Sequence, residues 1–173
     1  MEKPEVAVTE EGLTAAALPV GAAAPGFALE RAPEQTVALA DFRDRLVVVA
    51  FYPGDWTAVC NDQLVDLTAR LGAFHRRGAA VLGISVDSAW SHQAFAEARQ
   101  IGFPLLADFH PKGEVARAYG VYADDWGIAH RALFLVDTQG VVRWRRVFPP
   151  WVNPGALDVL GAVARLTAEG MSG

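Results

Sequence analysis

The chain has 173 residues, 52% of them hydrophobic, which is the size of one globular domain able to bury a core without covalent staples. A formal net charge of −5 repels phosphate backbones and anionic membrane surfaces, so neither nucleic acid nor a membrane is an expected partner. Gly, Pro or charge interrupts every apolar run before the roughly 18 residues of a spanning helix, and one cysteine excludes an internal disulfide, a multi-cysteine zinc site and a Cys-x-x-Cys redox pair.

Residues 1–18 are rich in Glu and Ala without clear periodicity and read as a loosely ordered tail. Glu2, Glu5, Glu10 and Glu11 against Lys3 are the wrong charge for the basic start of a secretory signal, so a cytoplasmic location is expected. Alternating apolar residues on either side of a polar, Pro-containing connection predict a small hairpin between Phe27 and Leu39. The β-branched run Leu46–Tyr52 predicts a strand buried on both faces. Pro53-Gly54-Asp55 ends it, and a helix beginning near Thr57 to Cys60 carries Leu64, Leu67, Leu71 and Phe74 as far as Gly78. Val81–Val86 is a second buried strand, followed by a helix with Trp90, Ala94, Ala98 and Ile101 on one face. A short helix over Glu114–Tyr119 leads to strands Ala132–Val136 and Val141–Val147, joined by a turn at Thr138–Gly140. The last helix runs from Pro154 to about Thr167 and is predicted to bury Leu157, Leu160 and Ala164. A βαβ unit, then a hairpin and a closing helix, gives an α/β protein of thioredoxin-like order, with a mixed central β-sheet covered by helices on both faces.

A lone cysteine is by default an inert apolar residue. Cys60 departs from that default because it follows the C-terminal end of a buried strand and lies in the first turn of the next helix. Unpaired backbone N–H groups and the positive end of the helix dipole favour a thiolate there, and open α/β sheets bind ligands at this edge. Thr57, one turn before Cys60, can aim its hydroxyl at the sulfur or cap the helix. Arg131 opens an otherwise apolar strand, where a charge needs a reason.

The segment Pro53-Gly54-Asp55-Trp56-Thr57-Ala58-Val59-Cys60 resembles the Pro-x-x-x-Thr-x-x-Cys motif of peroxiredoxins. Upstream, Gly21–Phe27 is similar to the family's Gly-x-x-Ala-Pro-x-Phe. Downstream, Leu82–Asp87, Phe103–Asp108, Tyr119–Val121 and Arg131–Asp137 occur in the family's order. The resemblance implies one thioredoxin-like peroxiredoxin domain over residues 19–173, of the one-cysteine type. It implies a thiol-dependent peroxidase that reduces hydrogen peroxide and organic hydroperoxides through a sulfenic acid, recycled by an external thiol or thioredoxin-like reductant. Cys60 would be the peroxidatic thiol, Thr57 a hydrogen-bond partner of the peroxide, Arg131 the group holding thiolate and substrate oxygen, and Pro53 a shield; no cofactor and no metal is implied. Gly26 stands where Asp is common, and Asn61-Asp62 where small hydroxyl or apolar residues are usual. Asp62 opposes a thiolate unless it points into solvent or pairs with a base. The competing reading is a thioredoxin-like binding domain without turnover.

His75, His92, His110 and His130 show no metal-ligand spacing and are expected at the surface or at caps. Arg143–Arg146 reads as a solvated strand edge. Trp56, Trp126 and the corner Phe148-Pro149-Pro150-Trp151 suggest a homodimer built through the loops flanking the site.

Overall fold

The structure is a computed structural model and describes residues 10–171. In chain order it consists of α1 (Glu10–Ala16), the strands β1 (Ala28–Ala32) and β2 (Gln35–Ala38), a 3-10 turn at Leu39–Phe42, and β3 (Leu46–Phe51). Next come α2 (Ala58–Ala69), α3 (Leu71–Arg76), β4 (Ala79–Ser85), α4 (Ala89–Arg99) and β5 (Leu105–Ala107). The chain ends with α5 (Glu114–Ala118), β6 (Tyr122–Ala123), β7 (Ile128–Ala129), β8 (Arg131–Val136), β9 (Val142–Phe148) and α6 (Leu157–Met171).

Five strands form the central sheet in the order β5-β4-β3-β8-β9. The β3–β4 and β4–β5 pairs are parallel, whereas β3–β8 and β8–β9 are antiparallel. This is the mixed thioredoxin-like sheet that the sequence predicts. Side chains alternate along a strand, so each face of the sheet carries its own core. Val48, Ala50 and Tyr52 enter one core with Leu64, Leu67, Phe74, Phe95, Val159 and Val163. Val47, Val49 and Phe51 enter the other with Val115, Ala116 and Tyr119. On β8, Leu133 and Leu135 belong to the first face and Ala132 and Phe134 to the second. By the same alternation Arg131 lies on the first face, under α2.

Four expectations are corrected. Of the expected tail, residues 1–9 lie outside the described residues, but Glu10–Ala16 is a helix rather than loose chain. Leu13, Ala17 and Leu18 pack on the second core, Arg145 Nη1 donates to the Thr14 carbonyl at 2.7 Å, and Leu18 N–H donates to the Tyr119 carbonyl at 2.9 Å. Gly120 permits this docking: it has φ +69°, and a Cβ there would meet the Ala16 carbonyl oxygen at 2.2 Å. The helix expected from Cys60 to Gly78 is two, broken at Arg70. The buried face of α4 is Ala89, His92 and Phe95, whereas Trp90 is 72% exposed. The phase was misjudged because an apolar stripe passes over a histidine that is buried through hydrogen bonds. On α6, Leu157 is exposed and Val159, Ala162 and Val163 are buried. Among the described residues no helix is long and apolar enough to cross a membrane.

Candidate active site

The turn from β3 into α2 places Cys60 in the first helical turn after the N-cap Thr57. The sulfur is fully buried. Arg131, 1% exposed, reaches it from the first residue of β8, and its Nη2 donates to Cys60 Sγ at 3.3 Å. The guanidinium is held from two further sides. Nη1 donates to Gln63 Oε1 at 2.6 Å, and both Nε and Nη2 donate to the Pro150 carbonyl, at 3.2 and 2.7 Å. A guanidinium has five N–H donors. These bonds occupy four of them, so one N–H on Nη1 has no acceptor among the described residues. No carboxylate lies within 4.0 Å of Arg131 among the described residues. Its partners are two neutral oxygens and one sulfur, which makes Cys60 the one partner able to carry negative charge. Gln63 itself is fully buried, and its Nε2 has no partner among the described residues.

Thr57 is exposed, makes no side-chain cap bond, and donates its hydroxyl to the Gly54 carbonyl at 3.2 Å. With its proton so directed, Oγ1 keeps acceptor capacity. Pro53 is half-buried at the start of the same turn. Asp62 is exposed and accepts from Asn61 Nδ2 at 3.3 Å, which settles its alternatives in favour of solvent.

A second polar cluster lies under the loop. Tyr52 donates to Asp55 Oδ1 at 2.7 Å, Ser91 donates to Asp55 Oδ2 at 2.9 Å, and His92 Nδ1 lies 2.8 Å from Asp55 Oδ2. His92 Nε2 faces the Leu106 carbonyl at 3.0 Å. Asp55 N–H donates to Asp87 Oδ2 at 2.9 Å, and that oxygen also accepts from Ser85 Oγ. Burial first, then the charge of Asp55 and its hydrogen bond, hold the Tyr52 phenol well above its ordinary value, so it remains a donor. Asp55, Asp87 and His92 bring one ligand atom each within 4.8 Å, but those atoms already serve hydrogen bonds within the protein. The next loop residue, Trp56, has φ 67°, a left-handed conformation costing a residue with a Cβ roughly 1–2 kcal/mol. Its indole stacks edge-on against Phe95 at 5.1 Å and donates to Ser91 Oγ at 3.3 Å.

Sequence reasoning brought Cys60, Thr57, Arg131 and Pro53 to this edge, and the structure places all four at or beside the β3–α2 turn or against it. It missed Gln63, Pro150, Asp55 and His92. Gln63 was findable, since three residues after Cys60 is the same helix face. The Pro150 carbonyl and buried His92 carry no local signal: His75 and His110 are exposed as expected, but His92 is fully buried. His130 is half-buried, its Nδ1 has no partner among the described residues, and burial lowers its pKa.

Residues 20–145 match the model of the AhpC/TSA family. Alkyl hydroperoxide reductase E of Mycobacterium tuberculosis is 38% identical over 152 residues, covering 87% of this chain and 99% of the relative. The chain belongs to the AhpC/TSA family of peroxiredoxins. Thioredoxin peroxidase of Echinococcus granulosus is 39% identical over 134 residues, covering 72% of this chain and 68% of that protein. Among solved structures, the reduced 2-Cys peroxiredoxin of Plasmodium vivax superposes with a TM-score of 0.80 at 29% identity, covering 88% of this chain and 83% of that one. This peroxiredoxin is therefore a thiol-dependent peroxidase by kinship, carrying one cysteine where that neighbour is named for two.

Proposed function

We propose that this chain is a one-cysteine peroxiredoxin in which Cys60 reduces hydrogen peroxide and organic hydroperoxides and is recycled by an external thiol or thioredoxin-like reductant. The observation that carries the reading is the Arg131 Nη2 donation to Cys60 Sγ at 3.3 Å, inside a buried site without a carboxylate on the guanidinium. A thiolate accepts such a bond well, and a neutral sulfur weakly.

The Cys60 thiolate attacks one peroxide oxygen in line with the O–O bond. An S–O bond forms as O–O breaks, two electrons pass from sulfur to the peroxide, and the leaving oxygen departs as an alcohol or water after taking a proton. Negative charge grows on that oxygen. The free N–H of Arg131 Nη1 is the donor for it, and Thr57 Oγ1, its proton held by Gly54, accepts from the hydroperoxide O–H and orients it. One oriented donor of this kind is worth about 3 kcal/mol, or about a hundredfold in rate. Pro53, at the start of the turn, shields the sulfur from bulk water.

Recycling has to use an outside thiol, because the chain has no second cysteine. That thiol attacks the sulfenic sulfur, water leaves, and a second thiol releases Cys60 from the mixed disulfide. With the sulfur fully buried, this step requires the first turn of α2 to open. Thr57 and Ala58 are already exposed there, so the opening uncovers little apolar surface.

The proposal extends to a homodimer through the loops around the site, supported by Trp56, Trp126 and Trp151, which are 53%, 42% and 64% exposed. Sedimentation at micromolar concentration should give a dimer, and a monomer alone overturns this part. A cytoplasmic site of action belongs to the same reading. Intact-mass analysis after peroxide tests the chemistry. With excess peroxide alone Cys60 should gain two and then three oxygens, and with added thiol a mixed disulfide at Cys60 should replace them. An unmodified mass under excess peroxide contradicts the reading.

A further inference from the structure

His92 and Asp55 are both fully buried at their side chains and lie 2.8 Å apart. The Leu106 carbonyl can only accept, so His92 Nε2, 3.0 Å away, carries a hydrogen. A neutral imidazole would then present the Nδ1 lone pair to a carboxylate oxygen, which is repulsive. The contact therefore holds a proton between Nδ1 and Oδ2. The other oxygen of Asp55 takes the Tyr52 hydroxyl, Ser91 donates to Oδ2, and the Asp55 backbone N–H is fixed to Asp87. Asp55 is thus tied to the residue that follows β3, to the loop after β4, to α4 and, through His92, to β5. It sits between Pro53 and Thr57, in the segment that delivers Cys60 to its helix, and next to Trp56 in its left-handed conformation. A loop carrying that strain keeps its shape only when its surroundings over-determine it.

We propose that the proton-sharing Asp55–His92 pair is a positioning device for the peroxide pocket, holding the Pro53–Thr57 turn in the shape that aims the Thr57 hydroxyl at the substrate. The inference rests on the peroxidase reading of Cys60. Neither residue touches the reacting atoms. The pair acts through the loop, so it affects a reaction that needs oriented groups and leaves general access to the sulfur nearly unchanged.

The test compares two reactions of Cys60 by rapid mixing: oxidation by hydrogen peroxide, which needs the oriented pocket, and alkylation by iodoacetamide, which does not. Asp55→Ala should slow oxidation at least about tenfold and alkylation no more than about twofold. Asp55→Asn is the discriminating variant. Its amide carbonyl accepts from Tyr52, and its NH2 donates to a neutral His92 Nδ1 and to Ser91, so the hydrogen-bonded shape survives without the charge. Oxidation in Asp55→Asn should return to within about threefold of the parent. Circular dichroism reports folding, and should Asp55→Ala fail to fold, His92→Gln is measured in its place with the same expected split. Oxidation at the parent rate in the disrupting variant overturns the proposal. So does an Asn variant as slow as the Ala variant, or an equal slowing of both reactions. A parent protein whose Cys60 ignores peroxide would instead overturn the peroxidase reading, which keeps the two failures apart.

Discussion

Two buried polar clusters sit side by side at the C-terminal edge of the parallel strands, and they differ in how completely their hydrogen bonds are made. Under the loop, each carboxylate oxygen of Asp55, both nitrogens of His92 and the Tyr52 hydroxyl have partners. Around Cys60, among the described residues, Gln63 Nε2 has none and one Arg131 N–H is free. An unmade buried hydrogen bond costs about 1–3 kcal/mol, so a protein keeps one only where something else uses it. The saturated cluster holds shape, and the unsaturated one keeps donors for an oxygen that arrives with the substrate. This division also explains why the reacting cluster contains no carboxylate: an acid on Arg131 would compete with the thiolate for its charge.

The sharpest way to break the comparison is to remove the reacting atom. Cys60→Ser should abolish peroxide reduction while circular dichroism stays native, since a hydroxyl of similar shape is not ionised at neutral pH, and residual turnover would show that the reaction belongs elsewhere. Next, Arg131→Ala, which removes the donor to the developing oxygen charge, should slow Cys60 oxidation by about a hundredfold or more, and Thr57→Val, which removes the acceptor that orients the hydroperoxide, by about a hundredfold, each measured against iodoacetamide alkylation. Equal slowing of both reactions would mean these residues act on the thiol alone and not on the peroxide, through its developing charge for Arg131 or its orientation for Thr57. Gln63→Ala removes one anchor of the guanidinium and should slow oxidation by about tenfold, in line with a hydrogen bond to a charged group.

The smallest effect concerns His130, outside both clusters. Burial lowers its pKa, so the folded protein takes up a proton less readily than the unfolded chain. Its contribution is fully present above the ordinary value of 6.5 and is lost as pH falls below it toward the depressed folded value. Melting curves between pH 7 and 5 should therefore decline less steeply in His130→Asn. An unchanged slope would place the group in solvent.

Much of this arrangement is legible in the sequence, for reasons that also define what is not. The strands Leu46–Phe51 and Ala79–Ser85 are continuous apolar runs because both their faces are buried, and such runs stand out at any reading. Cys60 and Thr57 are legible because their roles depend on spacing within one turn, and Arg131 because a charge at the head of an apolar strand is conspicuous. The Pro150 carbonyl is a backbone group and has no residue signature. His92 and Asp55 are polar residues buried through contacts 37 positions apart, which periodicity discounts, and the same discount displaced the predicted face of α4. Helix α1 was unreadable because its seven residues dock through Leu13 and a bond from Arg145 to Thr14, and the chain just after it through a bond from Leu18 to Tyr119, partners more than a hundred residues away.

The central claim is that Cys60 is a poised peroxidatic thiol. Mixing the reduced protein with one equivalent of hydrogen peroxide and titrating the free thiol over time tests it most directly. We expect the thiol to disappear within seconds, with a gain of one oxygen on the peptide containing Cys60. A thiol still titratable after minutes, as for an unactivated cysteine, would contradict the account.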